Sequence, residues 1–165
     1  MSIICFTGHR PASLGWGYDY TDSRWVALKN RIKETLIDIN CTHAISGMAL
    51  GVDTVAALAV LELKSEGRNI WLGCAIPCQK HSSRWTNESK KLYDSILSLA
   101  DKVHLVSDSP YSASLMQIRN EFMVDKSDLV IAVYNGNKSG GTANCVRYAK
   151  SVGKEIIIIN PGDFS

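Results

Sequence analysis

Short apolar runs alternate with amphipathic stretches along the whole 165-residue chain. Residues 2–7 (SIICFT), 43–46 (HAIS), 70–76 (IWLGCAI), 102–106 (KVHLV), 128–134 (DLVIAVY) and 155–160 (EIIIIN) read as strands. Most are continuously apolar and do not alternate, the pattern of strands covered on both faces. Between them, Trp25, Leu28, Ile32, Leu36 and Ile39 form an apolar stripe at helical spacing. Leu115, Ile118 and Phe122 form a second stripe, and Leu92, Ile96 and Leu99 a third. The stretch from residue 51 to about residue 64 is apolar nearly all round at first, which predicts the most buried helix. Gly153 stands where a helix C-cap is wanted before the last strand. Such alternation predicts an α/β fold: a mainly parallel sheet of about six or seven strands with helices on both faces. No repeat, linker or low-complexity tract interrupts it, so residues 1–165 are read as one domain. The irregular region is residues 10–22, RPASLGWGYDYTD, a loop long enough to suggest a function.

In an open parallel sheet, ligands bind beyond the carboxyl ends of the strands. The segments that follow the strands are therefore the informative ones: TGHRP (7–11), SGMALGVD (46–53), PCQKHSSRW (77–85), SDSPYSASLMQIRNE (107–121) and NGNKSGGT (135–142). Two of them lead into helices through small residues, Gly47 and Gly51 in one, Gly140, Gly141 and Thr142 in the other. A helix N-terminus offers unpaired N–H groups and partial positive charge, and glycine lets a phosphate approach them. The expectation is that so many small residues between Ile45 and Val60 make room for such a ligand. Arg10 and Arg119 are suited to clamp its anion, and Trp16, Tyr18, Tyr20 and Trp85 to cover a flat base. His9 is the histidine placed in a glycine loop.

Each of these residues also has a plain structural role open to it. The glycines serve turns, Asp53 suits a helix dipole, Arg119 suits a solvated helix face, and the aromatics suit packing. Asp19 and Asp22 read as loop and N-cap residues, and His43 and His104 as structural.

Composition narrows the class. Apolar residues at 45% and charged residues at 21% are those of an ordinary globular protein, and a formal charge of +2 argues against nucleic acid as a partner. The odd set Cys5, Cys41, Cys74, Cys78 and Cys145 reads as buried reduced thiols of a cytoplasmic protein, with no metal site. Neither a signal peptide nor a membrane span is expected. Neither G-x-G-x-x-G after the first strand nor G-x-x-x-x-G-K-[ST] is present, so ordinary dinucleotide and P-loop readings fail.

SGMALGVDTVAA resembles the S-G-x-A-x-G-[IV]-D-x-x-A signature of the DNA-processing protein A (Smf) family. IRNEFMVDKSDLVIAVY, followed by SGGTANCVRYAKSVGKEI, resembles that family's R-N helix, strand and S-G-[ST] loop. TGHRP and DKSD look closer still to the YpsA-like DUF1273 group. Both groups belong to the SLOG superfamily, with the Lonely Guy (LOG) phosphoribohydrolases. The resemblance implies a Rossmann-like three-layer αβα sandwich that binds a nucleotide or nucleotide derivative; homo-oligomers are common in the superfamily, and a homodimer is the expectation here. Carried onto this chain, it marks Gly8, Arg10, Ser46, Gly47, Gly51, Asp53, Arg119, Asn120, Gly140, Gly141 and Thr142. His9, Met48, Pro77 and Trp85 join the candidate ligand set from the same strand ends.

The LOG hydrolases carry a glutamate three residues after the threonine of their glycine loop; here that place holds Cys145, after Asn144. Neither side chain supplies a carboxylate. Catalysis would fall to Asp53 or Glu121, with Arg119 on the phosphate. The expectation is a nucleotide-binding sensor or regulatory module, with an N-glycosidic hydrolase as the alternative and single-stranded DNA binding ranked last. No cofactor other than a nucleotide-type ligand is expected.

Overall fold

The structure is a computed structural model that describes residues 2–165. Its strands are β1 (Ile3–Gly8), β2 (His43–Ser46), β3 (Trp71–Ile76), β4 (Lys102–Leu105), β5 (Leu129–Val133) and β6 (Glu155–Ile159). They form one sheet in the order β4-β3-β2-β1-β5-β6, every neighbouring pair parallel. Cys5 at its centre lies opposite Ile45 of β2 and Val130 of β5. The helices are α1 (Pro11–Leu14), α2 (Ser23–Asp38), α3 (Val52–Ser65), α4 (Asn87–Leu99), α5 (Ala113–Lys126) and α6 (Gly141–Ser151), and a 3₁₀ turn spans Pro161–Phe164.

Two cores make this a Rossmann-like three-layer sandwich. On one face, α2, α3 and α4 bury Trp25, Leu28, Val55, Val60 and Ile96 against Ile4, Phe6, Leu72 and Ile131. On the other, α5 and α6 bury Met123, Val124, Cys145 and Ala149 against Cys5, Ala75 and Val130. All five cysteines are buried free thiols. The stripe read in α2 is its buried face, and Asp22 caps it by accepting the Arg24 N–H. Every residue of α3 from Val52 to Ala57 is buried, and Gly153 adopts a φ of 75° just past α6. Among the described residues, no helix is long and apolar enough to cross a membrane.

Four expectations change. The apolar run of β4 is not covered on both faces: it is an edge strand with all four residues exposed. The stripe Leu115–Ile118–Phe122 is not the inward face of α5, because Ile118 is 50 % exposed while Arg119 and Met123, four apart, point inward. In α4, Tyr93 joins Ile96 in the core and Leu99 is exposed. Residues 10–22 are also less loop-like than expected. They contain α1, and Trp16 packs edge-on against Trp25 with ring centroids 4.8 Å apart.

The topology positions the site. The chain steps outward from β1 through β2 and β3 to β4, then returns to β5 on the opposite side of β1. The strand order therefore reverses at β1 and β5, and a crevice opens beyond their carboxyl ends.

Candidate functional site

A cavity of about 510 Å³ occupies that crevice. Thr7, Gly8, His9 and Arg10 line it from the end of β1, and Asn135, Asn137 and Ser139 from the loop after β5. Gly140, Gly141 and Thr142 close one wall at the start of α6, while Asp53 of α3 and Met116, Arg119 and Asn120 of α5 close the others. A second cavity, of about 440 Å³, lies on the open sheet face beside Trp71, Gly73, His104 and Phe122, away from the strand ends. The polar cavity at the switch point is the candidate site.

The N-terminus of α6 is open toward it. Gly140 takes the N-cap position with a φ of 102°, and no side chain caps the helix. The first helical bond of this turn is Asn144 N–H to Gly140 O, which leaves the amides of Gly141, Thr142 and Ala143 without acceptors among the described residues. A β-carbon added at Gly140 or Gly141 would meet nothing within 4 Å. Asn137, whose own N–H donates to Asn135 Oδ1 at 2.9 Å, shapes the loop that presents this turn.

The loop between β2 and α3 is built differently. A β-carbon on Gly47 would lie 2.5 Å from Arg119 Nη1, one on Gly51 2.6 Å from the His9 carbonyl oxygen, and one on Gly8 2.4 Å from Val52 Cγ1. The group that comes close to this backbone is the protein itself. Gly51 N–H donates to the Tyr20 phenol at 2.9 Å and Val52 N–H to the His9 carbonyl at 3.2 Å, so the α3 terminus is partly satisfied from within. Ser46 Oγ donates to the Asp53 carbonyl at 2.8 Å and accepts the Met48 N–H at 3.1 Å, which holds the buried Met48 at a φ of 59°. Ser46, Gly47, Met48 and Gly51, expected at the ligand, do not line the cavity.

Arg119 is 4 % exposed, and its Nη1 donates to the carbonyls of Gly47 and Ala75 while Nε donates to Asn120 Oδ1 at 3.0 Å. Burial lowers its pKa, opposed mainly by the field of Asp53. Asp53, 7 % exposed, accepts the Ala49 N–H at 3.3 Å. Burial raises its carboxyl pKa against the pull of Arg119. Asp53 is the one carboxylate on the wall, against two guanidinium groups. Arg10 is exposed and has no acidic partner within 4 Å among the described residues. Burial also lowers the pKa of His9, whose Nε2 accepts the Asn135 N–H at 3.3 Å. The wall is thus rich in donors and electropositive, an arrangement that suits an anion.

Pro77 is buried beyond the end of β3 and does not reach the cavity. Trp85 lines a smaller recess beside it, together with Arg10 and His81. Of the aromatics read as covering a base, Trp16 and Tyr20 pack against Trp25, and Tyr18 is exposed. Glu121 does not line the cavity; it accepts a hydrogen bond from Gln117 at 3.0 Å. Cys145 is fully buried and burial pushes its thiol up to about 11, so it is neutral. Among the described residues, no three His, Cys, Asp or Glu side chains converge as a metal site. Ser13, Ala49 and Met116 also line the cavity; each lies in a segment the sequence marks, but its residue type carries no signal of its own. The same holds for Asn135, Asn137 and Ser139 in the loop after β5.

The model of the YspA SLOG family (YpsA) matches residues 4–163. The chain belongs to the YpsA family of SLOG proteins. It is 33% identical over 147 residues to an uncharacterized SPbeta prophage-derived protein, YoqJ, of Bacillus subtilis, covering 81% of this chain and 85% of that one. A UPF0398 protein of Bacillus cereus is 29% identical over 158 residues, with 93% and 85% covered. Two solved structures share the fold. DNA processing protein A of Streptococcus pneumoniae matches with a TM-score of 0.61 at 16% identity, over 96% of this chain but 50% of its own. Its counterpart from Helicobacter pylori, which binds single-stranded DNA, matches with a TM-score of 0.63 at 17% identity, over 98% of this chain and 70% of its own. This last match corrects the expectation drawn from net charge. A protein of this fold binds single-stranded DNA, so a charge of +2 does not set nucleic acid aside.

Proposed function

We propose that the cavity beyond β1 and β5 binds the phosphate of a nucleotide, and that this YpsA-family protein works as a nucleotide-responsive binding module. The observation that carries the reading is the uncapped α6 N-terminus, whose free amides share one cavity with Arg10 and Arg119. Aligned donors, a helix dipole and guanidinium charge together favour a dianion over a neutral group. Gly140 and Gly141 admit it without displacing protein atoms. Asp53 is suited to accept a hydrogen bond from a sugar hydroxyl, and the Asn120 amide to join it.

A second reading has its own support: the Helicobacter pylori neighbour binds single-stranded DNA, and a phosphodiester would use the same donors. The hydrolase reading is weaker. The position that bears the LOG glutamate holds a buried neutral thiol, and Glu121 stands outside the cavity.

Calorimetric titration separates these readings. Nucleoside 5′-monophosphates should bind while the matching nucleosides bind at least about tenfold more weakly, the loss of one charge-assisted contact set. Equal binding of nucleoside and nucleotide removes the phosphate claim. An oligodeoxynucleotide that binds more tightly than any monophosphate, with an affinity falling steeply in salt, favours the strand. Free base released on incubation, followed by chromatography, would make the protein an enzyme.

A further inference from the structure

Beside the main cavity lies a recess of about 80 Å³, lined by Leu50, His81, Trp85 and Tyr111. Arg10, Ala49 and Met116 line both spaces, so they are two lobes of one cleft, with Arg10 on the divide. The lobes differ in chemistry. The larger carries the α6 amides; the smaller adds the rings of His81, Trp85 and Tyr111 and the side chain of Leu50.

We infer that the smaller lobe is a nucleobase subsite, in which Trp85 and Tyr111 cover the ring and His81 hydrogen-bonds its edge. The inference rests on the phosphate reading above and extends it to the other end of the nucleotide. His81 Nδ1 is enclosed and has no hydrogen-bond partner among the described residues. The enclosed Nδ1 is unpaired in either neutral tautomer, so Nε2 is the nitrogen through which the ring can meet a base. That nitrogen is left to solvent or to an occupant, and according to tautomer it donates to a ring nitrogen or carbonyl oxygen of a base or accepts from its amino group. Burial, together with Arg119 and Arg10, pushes the imidazole down to about 3, so the ring stays neutral at physiological pH.

The ring is also held in place. His81 packs edge-on against Trp85 at 5.1 Å and Tyr93 at 5.9 Å, and Trp85 packs against Tyr93 at 5.1 Å. Tyr93 is buried in the core, so the imidazole is mounted on a fixed support. Tyr111, 62 % exposed, has no such packing and is free to lie over an incoming ring. The recess takes the edge of a base while the rest of the ring lies under Tyr111. Stacking of this kind tolerates any base, and the single hydrogen bond adds only modest selectivity.

Titration with AMP, GMP, CMP, TMP and ribose 5-phosphate tests the subsite separately from the phosphate site. At least one nucleotide should bind about tenfold or more tightly than ribose 5-phosphate. Tyr111→Ala and His81→Phe should each cut that ratio several-fold and leave the affinity for ribose 5-phosphate unchanged, which also certifies folding. Tyr111 is exposed, so its variant carries no folding risk. Ribose 5-phosphate binding as tightly as every nucleotide overturns the base subsite alone. A nucleotide preference that survives both substitutions overturns it as well. If no phosphate-bearing probe binds, the phosphate reading falls and the subsite falls with it.

Discussion

The two glycine-rich turns of this protein look alike as sequence and differ as structure. At the β2–α3 turn, the space beside Gly47 and Gly51 is filled by Arg119, His9 and Pro11. At the β5–α6 turn, the space beside Gly140 and Gly141 is empty of protein atoms. The first turn uses glycine to let the chain pack on itself, and the second leaves glycine facing open space at an unsatisfied helix end. A glycine-rich strand–helix turn is therefore not in itself a ligand site; what decides is whether a protein atom already stands where the missing side chain would be.

The sharpest way to break this contrast is substitution at Gly51. Gly51→Ala places a β-carbon against the His9 carbonyl at a φ of 94°, and we expect a loss of about 3 kcal/mol of stability by denaturant unfolding. Gly141→Ala, with nothing in its way, should stay within about 0.5 kcal/mol of the wild type. Equal costs at the two glycines would erase the distinction.

Gly47→Ala should cost about 2 kcal/mol, because the buried guanidinium of Arg119 has to move. In an Arg119→Met background the same substitution should cost about 1 kcal/mol less, a coupling readable from a double-mutant cycle. Additive costs would show that the clash is with something other than Arg119. Conversely, Gly141→Asp should leave stability unchanged or slightly higher, since a carboxylate suits a helix N-terminus. It should weaken nucleotide binding about tenfold or more by calorimetry.

The smallest effect concerns pH. Burial raises the Asp53 carboxyl above its unfolded value, so between the two values the native state binds more protons than the unfolded chain. The stability this confers is fully present below the ordinary carboxylate pKa and is lost as pH rises through the raised one. Asp53→Asn, which keeps an acceptor for the Ala49 N–H, should flatten that decline when unfolding is followed upward from about pH 4. An unchanged slope would show that Asp53 is not the group responsible.

Much of the fold is legible in the sequence because the central strands are buried on both faces and write themselves as unbroken apolar runs. HAIS and IWLGCAI mark β2 and β3 to within a residue. KVHLV marks β4 equally well, yet that strand is exposed, since an apolar run does not reveal whether a helix covers it. In α5, the inward residue at the key position is an arginine, which an apolar pattern scores as outward. Arg119 is satisfied by the carbonyls of Gly47 and Ala75, contacts that span 72 and 44 residues. No local pattern encodes partners that distant. The edge of the sheet that carries the cavity was legible because parallel strands force their following loops to one side. Which loop is open and which is closed depended on contacts across the chain.

Backbone amide resonances followed during titration with AMP and with inorganic phosphate give the most direct test. The largest shifts should fall on Gly141, Thr142 and Ala143, with Gly51 and Val52 little changed because their N–H groups already have acceptors in Tyr20 and His9. Shifts centred on Gly51 and Val52, or no shift at the start of α6 at saturating ligand, would contradict phosphate binding at the open turn.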